Sequence, residues 1–313
     1  FYNGDIDQWK KFGNSLLLRL GMRLSKVKPE LAAATAKAAI EGGIMSEAKD
    51  MCRVKHIAGG RDEDKNPVAL RFQKDDYIGQ GKVKISQTFM NHLQATNDPR
   101  IAVFCSLKDG NADPSIQKGL PNGYDKNTIS TNSDYTGKLE DYSNFNTNVI
   151  LREDAPTLLL MPSESKLLQA EAALRNWVAG DPEALYKEAI RLSMQEQKEA
   201  YGVSISEQQV NDYLAQNLFA NAASQEEKLE VLGNEYWVTT FMNGYESYAN
   251  WRRCGYPKLT PTHYAGNESN GQIPRRLPYA IDEYTINKAN VEQAVQQQGA
   301  DNLNTRIWWD VAK

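Results

Sequence analysis

The long excursion at residues 106–150 carries Tyr124, Tyr135, Tyr142 and Phe145 in a background rich in Gly, Asn, Asp, Ser and Thr. A tyrosine face can stack on the C–H side of a sugar ring while Asn and Asp bond its hydroxyls. That pairing makes the stretch the preferred ligand surface. Its candidate binding residues are Tyr124, Asp125, Asn132, Tyr135 and Tyr142. The same tyrosines could instead pin a long loop onto the helices beneath it, since loops of this length need anchors. Gly119-Leu-Pro-Asn-Gly123 reads as a turn, with Pro121 fixing φ and Gly123 tolerating positive φ.

Other chemistry-bearing residues are weaker candidates. Trp251, Arg252 and Arg253 could stack on and clamp an anion. They could equally be a core tryptophan and two arginines that close helix ends or pair with acids. Asp109, Asn111 and Asp113 have the spacing that opens a calcium loop, but Pro114 and Leu120 replace the glycine and glutamate such a loop requires. A looser surface calcium site stays open; no other cofactor is expected. His56, His92 and His263 are scattered, so no zinc site is expected. No activated serine, phosphate-binding loop or dinucleotide fingerprint is present. Every glutamate that can be placed falls on a solvated helix face or a capping position, so no catalytic residue is assigned.

Composition narrows the class. The 313 residues are 41% hydrophobic and 24% charged, enough for a large core in one or two domains. A net charge of −4 gives no basic footprint and argues against nucleic acid. No apolar run reaches the roughly 18 residues of a membrane span. Three cysteines, far apart, suit neither a disulfide framework nor a CxxC site.

The elements that must position these residues are mostly helical. The central one is a hairpin from Pro162 to Gly202. Leu167, Ala170, Leu174 and Trp177 recur at helical spacing in its first half, and Ala170, Ala172 and Ala173 allow close approach of a second backbone. Gly180 is the expected stop, with Asp181 and Pro182 starting the second helix. Such a pair is tetratricopeptide-like. Residues 5–27 form an amphipathic helix whose apolar stripe is Ile6, Trp9, Phe12, Leu16, Leu17, Leu20, Leu24 and Val27. Pro29 opens an Ala-rich helix closed by Gly42-Gly43. Val68–Phe72 and Ile101–Cys105 read as extended or strand. Residues 85–94 and 287–298 read as helical. Ser206 with Gln209 and Ser224 with Glu227 mark two capping boxes. One of Trp308 and Trp309 should dock the tail. The expected fold is therefore mainly α, with helical hairpins, long loops and a few short strands.

Several stretches, in order along the chain, resemble the SusD/RagB family, especially its second, starch-binding-associated branch. They are Tyr2-Asn-Gly-Asp5 with Trp9-Lys-Lys-Phe12 and Leu18–Arg23, then Asp98-Pro99-Arg100, Gly119–Gly123 and Ala170-Glu171-Ala172. Asn243-Gly244-Tyr245-Glu246, Trp251–Pro257, Arg276–Tyr279, Glu283 and Trp308-Trp309-Asp310 complete the set. The resemblance implies one SusD-like domain over 1–313, corresponding to the C-terminal part of a longer protein. The family's first helices and lipid-anchor cysteine would then precede Phe1. It further implies a non-enzymatic protein on the outer face of the outer membrane, held there by the anchor. Such a protein captures a glycan or other nutrient and passes it to a SusC-type TonB-dependent transporter. The competing readings are a helical glycoside hydrolase, which needs two carboxylates flanking a cleft, and a tetratricopeptide-type scaffold for a protein partner.

Overall fold

Helix boundaries in this protein follow its caps and prolines closely. The computed structural model describes residues 1–74, 83–216, 218–262 and 264–312. In chain order the helices are α1 (Ile6–Arg23), α2 (Pro29–Glu41), α3 (Pro67–Lys74), α4 (Gln87–Ala95), α5 (Ile101–Phe104), α6 (Pro162–Leu174) and α7 (Pro182–Tyr201). There follow α8 (Glu207–Ala215), α9 (Leu218–Asn221), α10 (Gln225–Thr239), α11 (Gly244–Cys254), α12 (Glu283–Ile286) and α13 (Lys288–Gln298). Short strands β1 (Cys52–Val54) and β4 (Thr157–Leu160) pair antiparallel, as do β2 (Cys105–Ser106) and β3 (Asn144–Phe145). The fold is mainly α with a few short strands, as expected.

The central hairpin is α6–α7. Asp181 caps α7 by accepting from the Glu183 N–H, and Gly202 closes it in the left-handed region at φ 77°. The end of α6 differs from expectation. The helix stops at Leu174, where Asn176 takes φ 60° and its N–H donates to the Ala173 carbonyl. The Trp177 N–H reaches back to Ala172, completing a Schellman closure. Asparagine tolerates this conformation, so the stop comes four residues before Gly180. Nearly all of α6 is buried, and Leu167, Leu168, Ala170 and Ala172 are each 2% exposed or less. They join Leu18 and Met22 of α1, Ala36 of α2, Ile190 of α7 and Tyr236 of α10 in one core. A second core gathers Phe89, Met90, Leu93, Phe104, Ile150 and Val238, and Ile205 packs against both.

Three sequence readings are corrected. The core face of α1 is Ser15, Leu18, Gly21 and Met22, while Ile6, Trp9, Leu17 and Leu20 of the expected stripe are 40–68% exposed. Close approach of α2 decides this: a Cβ on Gly21 would lie 2.7 Å from Thr35 Cγ2. Val68–Phe72 is helical, because Asn66 Oδ1 accepts from the N–H groups of Val68 and Ala69. Ile101–Phe104 is a helical turn. The Asp98-Pro99-Arg100 bend starts it, with Asp98 Oδ1 accepting the Arg100 N–H, and only then does β2 begin.

The glutamates also depart from expectation. Glu164, Glu171, Glu196, Glu235 and Glu246 are buried, not solvated. Each is bound in place. Arg100, fully buried, joins Asp98 and Glu235. Arg253 grips Glu171 through two bonds of 2.8 and 2.7 Å. Arg19 does the same for Glu164, Arg23 pairs with Glu246, and Glu196 accepts from the Ser163 N–H and hydroxyl. Bidentate arginine geometry offsets much of the cost of burying charge. The Arg19, Arg23 and Arg253 pairs also tie α1, α6 and α11 to one another, and Arg100 ties α10 to the bend before α5.

Candidate functional site

The 106–150 excursion is ordered by the start of α4. Ser86 caps that helix, its hydroxyl accepting from the Phe89 N–H. On one side Leu120 N–H donates to the Ile85 carbonyl at 2.8 Å and Gln87 N–H to the Leu120 carbonyl at 2.9 Å. On the other, Ile85 N–H donates to the Ser143 carbonyl at 2.9 Å, and Ser143 N–H to that of Lys118 at 2.8 Å. The loop's two ends are thus laced together against one extended stretch. Gly119 permits this: a Cβ there would sit 2.4 Å from Gln87 Cα. Buried Gln117 reinforces it, donating to the Asn111 and Asp113 carbonyls and accepting from the Ser143 hydroxyl. Gly123 has φ +85°, as its place in the turn required.

Adjacent side chains of α4 gather the two arms. Thr88 Oγ1 donates to Asn122 Oδ1, and Gln87 Nε2 to Asp134 Oδ2 at 3.1 Å. The segments bearing Tyr124 and Tyr135 therefore emerge over the same helix end. The structure places the expected residues unequally. Tyr124 is 41% exposed. Asp125 organises its own turn, Oδ1 accepting from Asn127 N–H and from Thr128 N–H and hydroxyl. Its Oδ2 accepts from the Tyr264 hydroxyl at 2.8 Å. That bond first, then the N–H and hydroxyl donors of the turn, hold the Asp125 carboxyl down to about 2. Asn132 Oδ1 accepts from the Asp134 N–H in a local turn. Tyr135 is half-buried, stacked on Tyr142 with centroids 5.9 Å apart and planes 5° apart.

Tyr142 departs from the sequence expectation. It is 1% exposed, its hydroxyl donating to the Asp134 carbonyl and accepting from the Thr136 N–H. With one face on Tyr135 and the hydroxyl saturated, the ring anchors the loop and leaves no surface for a ligand. Tyr264 enters in its place. It is 42% exposed and bonded to Asp125. Sequence reading missed it because nothing local links it to Asp125, 139 positions away. The one available signal is a tyrosine among Gly, Asn and Ser, the same composition as the first loop. The face thus presents Tyr124, Tyr264 and the edge of Tyr135 among Asn, Asp and Gln side chains. Stacking and hydroxyl recognition are what it can supply; no nucleophile or paired acid lies among the contacts described there.

The remaining candidates resolve individually. Trp251 is buried and Arg253 pairs with Glu171, the structural roles open to them, whereas Arg252 has no carboxylate within ion-pair distance among the described residues. Asp109, Asn111 and Asp113 accept in turn from the N–H groups of Asn111, Asp113 and Ser115, a run of local turns. His56 Nε2 bonds Thr157; burial pushes the His92 ring's pKa down; His263 lies outside the described residues. No group of three or more His, Cys, Asp or Glu positioned to hold a metal occurs among the described residues.

One acid pair bears on hydrolysis. Glu164 and Glu246 each lie 2.7 Å from the Tyr236 hydroxyl, which brings two carboxyls together as a glycosidase requires. Arg19 and Arg23 neutralise them, and they are 1% and 7% exposed. A sugar could not reach either without parting α1 from α6 and α11. The pair braces helices.

Comparison with known proteins gives a consistent picture. The family described as SusD-like, starch-binding and associating with the outer membrane, matches residues 1–280. A solved structure named a chitin-binding protein is 31% identical with a TM-score of 0.85, covering 100% of this chain and 66% of its own. A chitin-binding SusD homolog from Flavobacterium johnsoniae is 27% identical, TM-score 0.78, covering 100% and 65%. A SusD homolog from Bacteroides uniformis is 27% identical, TM-score 0.80, covering 99% and 66%. The chain thus spans about two thirds of the length of these relatives. No curated protein matched.

Proposed function

This chain belongs to the SusD-like family of starch-binding proteins that associate with the outer membrane, and we propose that it captures a glycan without cleaving it. On this reading it works at the cell surface, held by a lipid anchor, and hands the glycan to a SusC-type TonB-dependent transporter. The observation that carries the reading is the loop face: exposed Tyr124 and Tyr264 joined through Asp125, seated on a rigid helical body. Aromatic faces stack on sugar rings and the surrounding amides bond hydroxyls, with modest affinity because an open, wet face sheds little water on capture. Two of the relatives are named chitin-binding, so chitin oligosaccharides are the first ligands to test, followed by starch oligosaccharides. Isothermal titration of the full chain with both series, repeated with Tyr124→Ala, is the test. Saturable binding that Tyr124→Ala weakens supports the reading. No binding to any polysaccharide in a broad panel, or release of reducing sugar, overturns it.

A further inference from the structure

We propose that a basic pocket at the C-terminal end of α11 receives the carboxylate or sulfate of an acidic sugar residue. The saccharide half of this assignment rests on the glycan-capture reading; the anion half rests on the pocket alone. Lys26, Arg252, Lys258, Arg275 and Arg306 line a cavity of about 190 Å³, walled also by Tyr256 and the chain's Val311 and Ala312. These five cations come from four separate stretches of chain. Among the described residues they meet three carboxylates, Asp310, Glu230 and Glu226, against five cations. Asp310 takes Arg306 at 2.5 Å and Arg275 at 3.5 Å, both on Oδ1, and Glu230 takes Lys258 at the rim. Glu226 is engaged by the Tyr256 hydroxyl. The pocket therefore keeps a surplus of positive charge in a protein whose net charge is −4.

Two of the guanidiniums are held in place by rings. Arg252 lies 4.3 Å from the Tyr248 centroid and 4.9 Å from that of Trp309, and Arg275 lies 4.2 Å from that of Trp251. Tyr248 and Trp251 stack at 6.1 Å, so Trp309, Arg252, Tyr248, Trp251 and Arg275 form one continuous run of rings and guanidiniums. A guanidinium held against a ring keeps its in-plane N–H donors, the edge that grips a carboxylate or sulfate. Arg252 spends one nitrogen on the Arg275 carbonyl, and its buried Nε has no hydrogen-bond partner. Burial works against the charge on both arginines, which an arriving anion would offset. The apolar wall beside this edge suits the C–H face of a sugar ring better than a bare ion.

Titration of the full chain, followed by tryptophan fluorescence, tests this with four probes: glucuronic acid, N-acetylglucosamine 6-sulfate, neutral N-acetylglucosamine and sodium sulfate. The charged sugars should bind, weaken as salt rises, and exceed the neutral sugar by about tenfold or more. Arg252→Gln should weaken them by a similar factor. So should Ala312→Asp, an exposed position where a competing carboxylate leaves the fold intact. Equal binding of neutral and charged sugars, no binding of any anion, or indifference to both pocket variants overturns the proposal. Sulfate matching the sulfated sugar overturns its saccharide half. Charged-sugar binding that survives the failure of every neutral glycan would sink the loop face as the capture site and leave the pocket standing.

Discussion

Replacing Gly119 by alanine tests whether the loop face depends on close contact with α4. The glycine's φ lies outside the left-handed region, so alanine meets no backbone penalty and the effect is purely steric. The added Cβ would fall 2.4 Å from Gln87 Cα and 2.6 Å from both Gln87 N and the Ser86 oxygen. All three are backbone atoms at a capped helix start, so the loop must retreat instead, by about 1 Å to reach ordinary contact. At that distance the two bonds of Leu120, now 2.8 and 2.9 Å, are broken. Two lost backbone bonds cost about 1 kcal/mol each, and residual overpacking about 1 more. A loss of about 3 kcal/mol lowers the melting temperature of a chain this size by roughly 5 °C. Calorimetry reads the stability, and titration with chitin or starch oligosaccharides reads the site. Binding should fall further than with Tyr124→Ala, because Asn122, Tyr124 and Asp125 all shift together. A variant that melts within about 1 °C of the parent and binds equally would refute the reasoning.

The remaining expectations concern single groups. Tyr264→Phe should free Asp125 Oδ2, raise that carboxyl from about 2 toward its ordinary range, and weaken glycan binding with little change in melting; an unchanged NMR titration of Asp125 would contradict this. Tyr142→Phe removes a hydroxyl bonded at both ends, so stability should drop by about 1–2 kcal/mol while the exposed tyrosines keep their ligand, measured by denaturant melts beside titration. Burial raises the Glu196 carboxyl to about 8. Above the unfolded value, near 4.5, the unfolded chain sheds this proton first, so stability falls by about 1.4 kcal/mol per pH unit until about 8. Glu196→Gln should remove that slope, gaining on the parent at pH 8 and not at pH 4; parallel pH–stability curves would sink it. Burial would raise Glu171 as well, but the Arg253 charge and hydrogen bonds outweigh it and hold the group near 2. Its stabilisation is present above pH 4.5 and fades as pH falls toward 2. Glu171→Gln should therefore cost about 3–5 kcal/mol at pH 7, where it strands a buried guanidinium, and progressively less in acid.

What the sequence determined by itself was local. Prolines at first helical positions, the Ser206–Gln209 and Ser224–Glu227 boxes, Asp181 and Gly202 act within a few residues, so helix starts and stops could be read directly. The ordered motifs likewise identified the family, and one tail tryptophan docks as expected, Trp309 lying against Arg23 and Arg252 while Trp308 is 66% exposed. What only the tertiary structure decided was which side of each element faces inward. Ile6, Trp9, Leu17 and Leu20 of the α1 stripe point out because Gly21 lets α2 close on the opposite face, a contact no pattern within α1 encodes. Glutamates that look solvated in sequence are interior because arginines as distant as Arg19 and Arg253 meet them there. Four of the five expected binding residues sit on the outer turns of the loop, and the fifth, Tyr142, is its anchor; the difference lies in whether backbone from another turn happens to satisfy the hydroxyl. Periodicity and capping are short-range forces written into neighbouring residues, whereas burial is settled by surfaces that meet only after the chain has folded back on itself.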